Sequence, residues 1–297
     1  MKNIRIIQGL MRSLSISDEE LYELINYDLE NGINVFDLAD IYGDGEAENK
    51  LGRILLNHKE LREKMFIQTK CSIVRDNPNY YDLSYDHIIE SVNNSLKRLN
   101  TNYLDSLLLH RPDIFLDPKE IKKAFIYLKE KGLVKHFGVS NFSKEAIEYL
   151  NSEASGLIEV NQIQLGLGHT RIIDEELNFN MDNDEGSHTS GTFFYLKRKG
   201  IEIQAWSPLL VGFFNGSILD NNGFPNVNSK LSELAFKYNT SKASIAINFL
   251  LMLDDKLKVV LGSMNKYHIE EAIMATKFKM EKKDWYSLYK SVGKMLP

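Results

Sequence analysis

Residues 33–43 read INVFDLADIYG, a short apolar run that ends in polar residues and a glycine. The run predicts a buried strand over Ile33–Leu38. Ahead of it, Ser17 and Glu20 form a capping-box pattern, and Gly32 is a suitable helix end. Between these signals, one helical face carries the apolar residues Leu21, Leu24, Ile25 and Leu29. The stretch therefore predicts a helix that leads into a strand with a polar end.

The same alternation of short strands and helices recurs along the whole chain. The candidate strands are Arg5–Gln8, Ile33–Leu38, Met65–Thr69, Asp105–Leu109, His136–Val139, Glu159–Ile163, Glu202–Ala205 and Lys258–Leu261. Such alternation is typical of parallel strands joined by crossover helices. Eight units within 297 residues favour a closed (β/α)8 barrel, a TIM barrel of the α/β class, over an open sheet. We expect one domain over residues 1–297.

Two more helices and one long loop complete this reading. A helix with a stripe of Ile88, Val92, Leu96 and Leu99 precedes the fourth strand, and another begins at Asp117-Pro118 and ends at Gly132. The polar segment 166–192 lacks strand character and follows the sixth candidate strand. Long loops are usually functional or disordered. The segment is thus either a substrate-covering loop or a mobile insertion.

The composition indicates where the protein is located and which partners it is not expected to bind. A net charge of −5 and a pI near 5.9 give no reason to expect nucleic-acid or membrane-surface binding. One cysteine, Cys71, cannot form an internal disulfide, which fits a reducing compartment. We see neither a signal peptide nor an apolar run of membrane-spanning length, so we expect a cytoplasmic protein. The oligomeric state stays open.

Four residues with acid–base chemistry fall at the ends of three consecutive candidate strands. Asp37 and Tyr42 follow the second strand, Lys70 the third and His110 the fourth. In a barrel, the carboxyl ends of the strands carry the active site. We therefore predict that these four side chains meet at the barrel mouth.

The set has a coherent chemistry, that of reducing a carbonyl. A free tyrosine has a pKa near 10, and a neighbouring ammonium such as Lys70 is expected to lower it. Asp37 would hold Lys70 by an ion pair, and His110 would hydrogen-bond the substrate oxygen. Such a site can protonate a developing alkoxide from Tyr42.

These residues resemble the aldo-keto reductase family. The motifs that carry the resemblance are residues 37–43, 68–70, 102–105, 107–113, 138–142, 160–162 and 205–209, which read DLADIYG, QTK, NYLD, LLLHRPD, GVSNF, VNQ and AWSPL. They span nearly the whole chain in the family's order. The long loop and the Trp206-Ser207-Pro208 run are most similar to the bacterial YdhF-like oxidoreductases.

The resemblance implies a catalytic tetrad of Asp37, Tyr42, Lys70 and His110, a small-molecule aldehyde or ketone substrate, and a nicotinamide cofactor. It implies that Ser140, Asn141 and Gln162 bind the nicotinamide carboxamide and that Trp206 stacks on the ring. The further cofactor contacts implied are Met11, Ser207, Pro208, Leu209, Ser263, His268 and Glu271. No metal is implied.

The segment after the last strand departs from the family pattern. Many relatives have Lys and Arg where this chain has Gly262 and His268, and those cations bind the 2′-phosphate of NADP(H). Lys266 and His268 are nearby, but neither offers a bidentate guanidinium. Arg12, or a cation in the loop after the seventh strand, is the next candidate. The resemblance favours NADP(H), NAD(H) is possible, and we expect modest discrimination between the two.

Three other functions fit part of the pattern. A barrel lyase or aldolase would use Lys70 as a Schiff-base nucleophile. A metal hydrolase would use Asp37, Asp40, His110 and Asp113, although such a site normally has more histidines. A regulatory member of the family would bind the cofactor without turnover, and the complete tetrad argues against it.

Overall fold

The barrel predicted from the alternation is present. The computed structural model describes residues 4–154, 156–177, 191–212, 215–294 and 296. Eight parallel strands close into a barrel in which neighbours along the chain are neighbours in space. They are β1 (Ile6–Gly9), β2 (Val35–Asp37), β3 (Phe66–Cys71), β4 (Leu104–Leu109), β5 (Val134–Ser140), β6 (Ile158–Gln164), β7 (Glu202–Trp206) and β8 (Lys258–Leu261). All eight candidate strands are confirmed, with shifts of a few residues at their ends.

Helices connect the strands. They are α1 (Asp18–Glu30), α2 (Glu46–Asn57), α3 (Tyr85–Arg98), α4 (Pro118–Glu130), α5 (Lys144–Ala154), α6 (Arg171–Leu177), α7 (Thr192–Lys199), α8 (Pro225–Lys237), α9 (Lys242–Leu251), α10 (Lys266–Ala275) and α11 (Lys282–Ser291). The predicted capping box at α1 is confirmed, because Ser17 Oγ accepts from Glu20 N while the Glu20 carboxylate accepts from Ser17 N. None of the described helices is long and apolar enough to cross a membrane.

Two segments differ from the sequence reading. Residues 171–177, inside the predicted loop 166–192, form α6, and Ile172 and Ile173 on it are buried. Residues 178–190 of that loop lie outside the described part of the chain. After β3, the short strands Ile73–Val74 and Tyr80–Tyr81 pair as an antiparallel hairpin that the sequence reading missed.

The chain contacts divide into two compact units. Of the described residues, the first contains those within 7–162 and 262–264, and the second contains those within 4–6, 163–261 and 265–296. In the first unit, the buried rings of Phe125 and Phe137 stack with 4.1 Å between their centroids. In the second, Trp285 stacks on Phe249 and on Tyr289, at 4.6 and 5.7 Å between ring centroids. The single-domain expectation stays a prediction.

Candidate functional site

Asp37 is the centre of a buried polar cluster in the first unit. Its strand β2 pairs with β3 so that Asp37 lies opposite Gln68. Because side chains two residues apart in a strand share a face, Gln68 and Lys70 both point at the Asp37 carboxylate. Asp37 Oδ1 accepts from Gln68 Nε2 at 2.7 Å and from Gln162 Nε2 at 2.9 Å, and Oδ2 accepts from Lys70 Nζ at 2.7 Å. The carboxylate is thereby fixed by three donors.

Lys70 connects Asp37 to Tyr42. Its side chain is 0% exposed, and Nζ donates to Asp37, to Leu38 O at 2.6 Å and to the Tyr42 hydroxyl at 3.3 Å. Burial alone would lower the pKa of Lys70, but the charges and hydrogen bonds of Asp37 and Tyr42 outweigh it and raise that pKa. Lys70 therefore stays an ammonium ion at neutral pH. An ammonium has no lone pair, which disfavours the Schiff-base alternative.

Tyr42 lies on the turn after β2 and is partly exposed. Burial raises the pKa of Tyr42 above its ordinary value by more than Lys70 lowers it, and Asp37 adds to the rise. This corrects the expectation that Lys70 brings the pKa of the phenol below 10. The physical reason is that the buried site disfavours phenolate more strongly than a single ammonium favours it.

His110 follows β4 and completes the predicted set. Its backbone N–H donates to Cys71 O at 2.8 Å, and its ring meets the Tyr42 ring edge to face, with 6.1 Å between centroids. Burial, Lys70 and Arg111 lower the pKa of His110 well below 6.5, so the imidazole is neutral at neutral pH. Nδ1 is buried and has no hydrogen-bond partner among the described residues.

The ends of β5 and β6 contribute a second polar group to the same unit. Ser140 Oγ donates to the backbone oxygen of Gln162 at 2.9 Å, and Asn141 Nδ2 donates to Ser140 Oγ at 2.8 Å. Asn141 is partly exposed and has a φ of +58°, a conformation that asparagine tolerates well. Since Gln162 also donates to Asp37, these residues are physically joined to the predicted tetrad.

The turn after β8 belongs to the first unit as far as residue 264. The backbone oxygen of Ser263 accepts from Gln8 Nε2 at 2.9 Å. Arg12, one residue after the predicted contact Met11, places Nη1 at 3.2 Å from Gly262 O. A Cβ at Gly262 would lie only 2.5 Å from that nitrogen. The exposed Arg12 guanidinium thus occupies the space into which a side chain at residue 262 would project.

The other predicted cofactor contacts lie in the second unit. Trp206 ends β7, is partly exposed, and its backbone oxygen accepts from Leu165 N at 3.3 Å. After it, Ser207 has a φ of +52°, and a Cβ at Gly166 would lie 2.4 Å from Pro208 O. Leu209 O accepts from Ile218 N at 2.8 Å. The chain after β7 is therefore closely packed and turns sharply.

Helix α10 carries the last two predicted cofactor contacts, His268 and Glu271. His268 is exposed and its ring contacts that of Tyr267, whereas Glu271 is half-buried and its backbone oxygen accepts from Ser244 Oγ at 2.7 Å.

Sequence reasoning missed several polar residues around the tetrad. Gln68 was seen only as part of a motif, although its spacing of two from Lys70 could have placed it on Asp37. Glu48 is 0% exposed and accepts from Thr69 Oγ1 at 2.5 Å and Arg98 Nε at 2.7 Å. Arg12 was considered from sequence only as the next candidate for the 2′-phosphate after Lys266 and His268. No local pattern signals Glu48 and Arg98, because they come from α2 and α3.

The metal-hydrolase alternative has little geometric support. Over the described residues, no three His, Cys, Asp or Glu side chains lie close enough together to hold a metal ion. Both Asp37 oxygens already accept hydrogen bonds from nitrogen donors.

The chain is similar to known oxidoreductases over nearly its full length. It matches the Aldo/keto reductase family over residues 5–292. It is 32% identical to 6-dehydroglucose reductase of Agrobacterium fabrum (98% of this chain, 95% of that protein). It is 29% identical to oxidoreductase YdhF of Escherichia coli (97% and 93%), which confirms the predicted similarity to YdhF-like proteins. The crystal structure of an aldo/keto reductase from Brucella melitensis superposes with a TM-score of 0.68 at 25% identity (97% and 94%). The chain belongs to the aldo/keto reductase family, and it is an oxidoreductase.

Proposed function

We propose that this oxidoreductase reduces an aldehyde or ketone to an alcohol with Tyr42 as the proton donor. Members of the family act on small carbonyl compounds with a nicotinamide cofactor. The observation that carries the proposal is the chain of contacts from Asp37 through Lys70 to the Tyr42 hydroxyl. When bound, the cofactor supplies the hydride that carbonyl reduction requires.

The direction of the Lys70 hydrogen bond leaves the phenol proton available. An ammonium group only donates, so the Tyr42 oxygen is the acceptor in the contact at 3.3 Å. The hydroxyl hydrogen therefore points elsewhere and can be given to a substrate oxygen. As that proton leaves, the ammonium stabilises the phenolate that forms. Asp37 keeps Lys70 in place for this step.

His110 acts in this proposal as a neutral hydrogen-bond donor. Its lowered pKa removes the imidazolium that would compete with Tyr42 as acid. A neutral imidazole carries one N–H, which can donate to the substrate oxygen and orient it toward the Tyr42 hydroxyl. The buried Nδ1 without a partner is the atom that would carry the lone pair.

The residues present fit a nicotinamide cofactor. Ser140, Asn141 and Gln162 join hydroxyl and amide groups beside the tetrad, and these can bind a carboxamide. In the second unit, the partly exposed ring of Trp206 is suited to stacking on a flat heterocycle. Met11, Ser207, Pro208, Leu209, Ser263, His268 and Glu271 are proposed as further contacts on the resemblance alone.

For the choice of cofactor we propose NADP(H), with Arg12 as the main cation for the 2′-phosphate. The support is that the Arg12 guanidinium fills the space beside Gly262, where many relatives carry a lysine. A guanidinium binds phosphate through two parallel hydrogen bonds. Because Arg12 is exposed, we expect the preference to be modest and to weaken with salt.

A carbonyl screen tests the proposed function. The oxidation of NADPH and NADH is followed with a panel of aldehydes and ketones that includes 6-dehydroglucose, the compound in the name of the Agrobacterium relative. We expect turnover with at least one carbonyl and a higher kcat/KM with NADPH. Tight cofactor binding without oxidation on any carbonyl would instead support the regulatory alternative.

A further inference from the structure

A carboxyl group close to Tyr42 has no part in the proposed mechanism. Asp40 lies two residues before Tyr42, and its backbone N–H donates to Lys70 O at 3.0 Å. Its Oδ1 is buried and lacks a hydrogen-bond partner among the described residues. A buried carboxylate oxygen without a donor is costly. The negative charge of Asp40 is therefore disfavoured, and this carboxyl group lies two residues from the proposed proton donor.

The neighbours of Asp40 come from three elements. Glu48 on α2 opposes its negative charge, whereas Arg98 on α3, Lys70 on β3 and the backbone N–H of Ile41 favour it. Glu48 is held in place by Arg98 Nε at 2.7 Å and Thr69 Oγ1 at 2.5 Å. Since Arg98 is already bound to Glu48, its charge is only partly available to Asp40.

Burial first and Glu48 second raise the pKa of Asp40 to about 7, and the two cations do not offset this rise. The charge of Asp40 therefore changes in the neutral range, where Lys70 stays an ammonium ion and Tyr42 stays a neutral phenol. Ionised Asp40 in turn raises the pKa of Tyr42, by less than burial and Asp37 raise it and by less than Lys70 lowers it.

We propose that Asp40 is a positioning residue whose charge sets how readily Tyr42 releases its proton. The inference rests on the proposed function, because it assumes that Tyr42 is the acid. With Asp40 neutral, the phenolate that forms on proton release meets one negative charge fewer. With Asp40 ionised, that phenolate is disfavoured and Tyr42 is a weaker acid.

The pH dependence of reduction follows. Below pH 7 Asp40 is neutral and Tyr42 donates more readily, so kcat/KM is high. As pH rises through about 7 Asp40 ionises, and kcat/KM falls to a lower plateau, by roughly threefold to tenfold for one partly screened charge acting on a general acid. This step is separate from the final loss of activity at the pH where Tyr42 itself ionises.

The experiment compares the wild type with Asp40→Asn and a matched control. Asn keeps the shape of the side chain and removes its titration, so the step near pH 7 should vanish and the high rate should persist to higher pH. The control is Asp44→Asn, two residues after Tyr42, where the carboxylate is 73% exposed and paired with Arg75. It should keep the wild-type step. A step that persists in Asp40→Asn, or vanishes in both variants, overturns the proposal.

Glu48→Gln supplies a result that a purely structural role would not produce. Removing the Glu48 charge lowers the pKa of Asp40, so the step should move to lower pH rather than disappear. An unmoved step in a folded Glu48→Gln protein contradicts the proposal, and if that variant does not fold, the Asp40 and Asp44 comparison decides.

A second readout does not depend on turnover. The ¹³C carboxyl resonances of aspartate, recorded against pH on the protein without substrate, should include one that titrates near 7 and is missing in Asp40→Asn. Absence of such a resonance overturns the inference even if the enzyme reduces carbonyls. Its presence in a protein that Tyr42→Phe leaves fully active would overturn the proposed function instead.

Discussion

Lys70 illustrates how two opposing free energies are balanced at one residue. Taking an ammonium out of water disfavours its charge, and the side chain of Lys70 has no exposed surface. Asp37, at 2.7 Å, and the Tyr42 hydroxyl together outweigh this desolvation and raise the pKa of Lys70, because attraction between buried groups is weakly screened. The result is a permanent cation held against the Tyr42 hydroxyl.

Lys70→Met should reduce kcat/KM at least about 100-fold, the usual contribution of a positioned proton donor and its support. Without the ammonium, the pKa of Tyr42 rises further and Asp37 loses its partner. Removing one member of a buried ion pair typically costs about 3–5 kcal/mol of stability. Urea unfolding and steady-state rates measure the two effects.

The double variant Asp37→Asn with Lys70→Met separates stability from chemistry. It removes both charges, so it should unfold at a higher urea concentration than Lys70→Met while remaining as inactive. If the double variant regains activity together with stability, Lys70 acts only by holding the fold.

Asp28 on α1 is another buried carboxyl, and burial is the one cause of its raised pKa. It is 0% exposed, and neither carboxylate oxygen has a partner among the described residues. Burial raises its pKa to about 8, from 3.8 in the unfolded chain. The folded state thus holds a proton that the unfolded state releases, so stability falls as pH rises from 3.8 toward 8.

Asp28→Asn should therefore stabilise the protein at pH 8.5 and much less at pH 5, with a gain of about 1–3 kcal/mol at the higher pH. Glu30→Gln, on the exposed side of the same helix, is the control and should change little. Urea unfolding at both pH values measures this. An equal gain at both pH values would show that the effect is not ionisation.

The types and approximate positions of the tetrad residues could be predicted from sequence, because strand ends in a barrel face one mouth. The ionisation of these residues could not. The raised pKa of Tyr42 and the lowered pKa of His110 depend on how deeply each group is buried by residues far away in sequence. The same holds for Asp40, whose pKa is raised first by burial and then by Glu48, while Arg98 lowers it.

At the scale of elements, an arginine from the turn after β1 fills the space that a glycine leaves in the turn after β8. Gly262 leaves space that the Arg12 guanidinium, from the turn after β1, occupies. From the sequence alone, residue 262 lacked the expected cation. The sequence could not place Arg12 beside it, because the two residues are 250 positions apart. Only the adjacency of β1 and β8 in the closed barrel brings them together.

Arg12→Ala should weaken NADPH binding about tenfold, or about 1.4 kcal/mol, and leave NADH binding nearly unchanged. Gly262→Ala should act in the same direction, because its Cβ would displace the guanidinium. The control is Arg53→Ala, an exposed arginine of α2 that is paired with Asp18. Fluorescence titrations at low and high salt give the dissociation constants. Equal weakening of both cofactors would contradict a contact to the 2′-phosphate.

Periodicity explains which elements could be predicted. The longer helices have apolar stripes over many residues, and each barrel strand is a short apolar run set off by helical sequence, so all eight strands were placed. Helix α6 has seven residues and the hairpin strands two each, too few for a pattern to emerge. Helix α6 was consequently read as loop, and the hairpin was missed.

At the scale of the whole molecule, eight strand–helix units close into one barrel. The number of units was readable because each β-branched run is separated from the next by helical sequence. The substrate is not readable in this way, since it depends on loop conformation rather than on periodicity, and part of the loop after β6 lies outside the described residues. The carbonyl screen, rather than the fold, has to identify it.

The most direct test of the central claim is Tyr42→Phe, which removes one hydroxyl and keeps the ring. The account predicts that kcat for carbonyl reduction falls by about 100-fold to 10,000-fold. The dissociation constant of the cofactor, measured by intrinsic fluorescence, should stay within about twofold, a shift of less than 0.5 kcal/mol. A variant that binds cofactor normally and keeps most of the wild-type kcat would show that Tyr42 is not the proton donor.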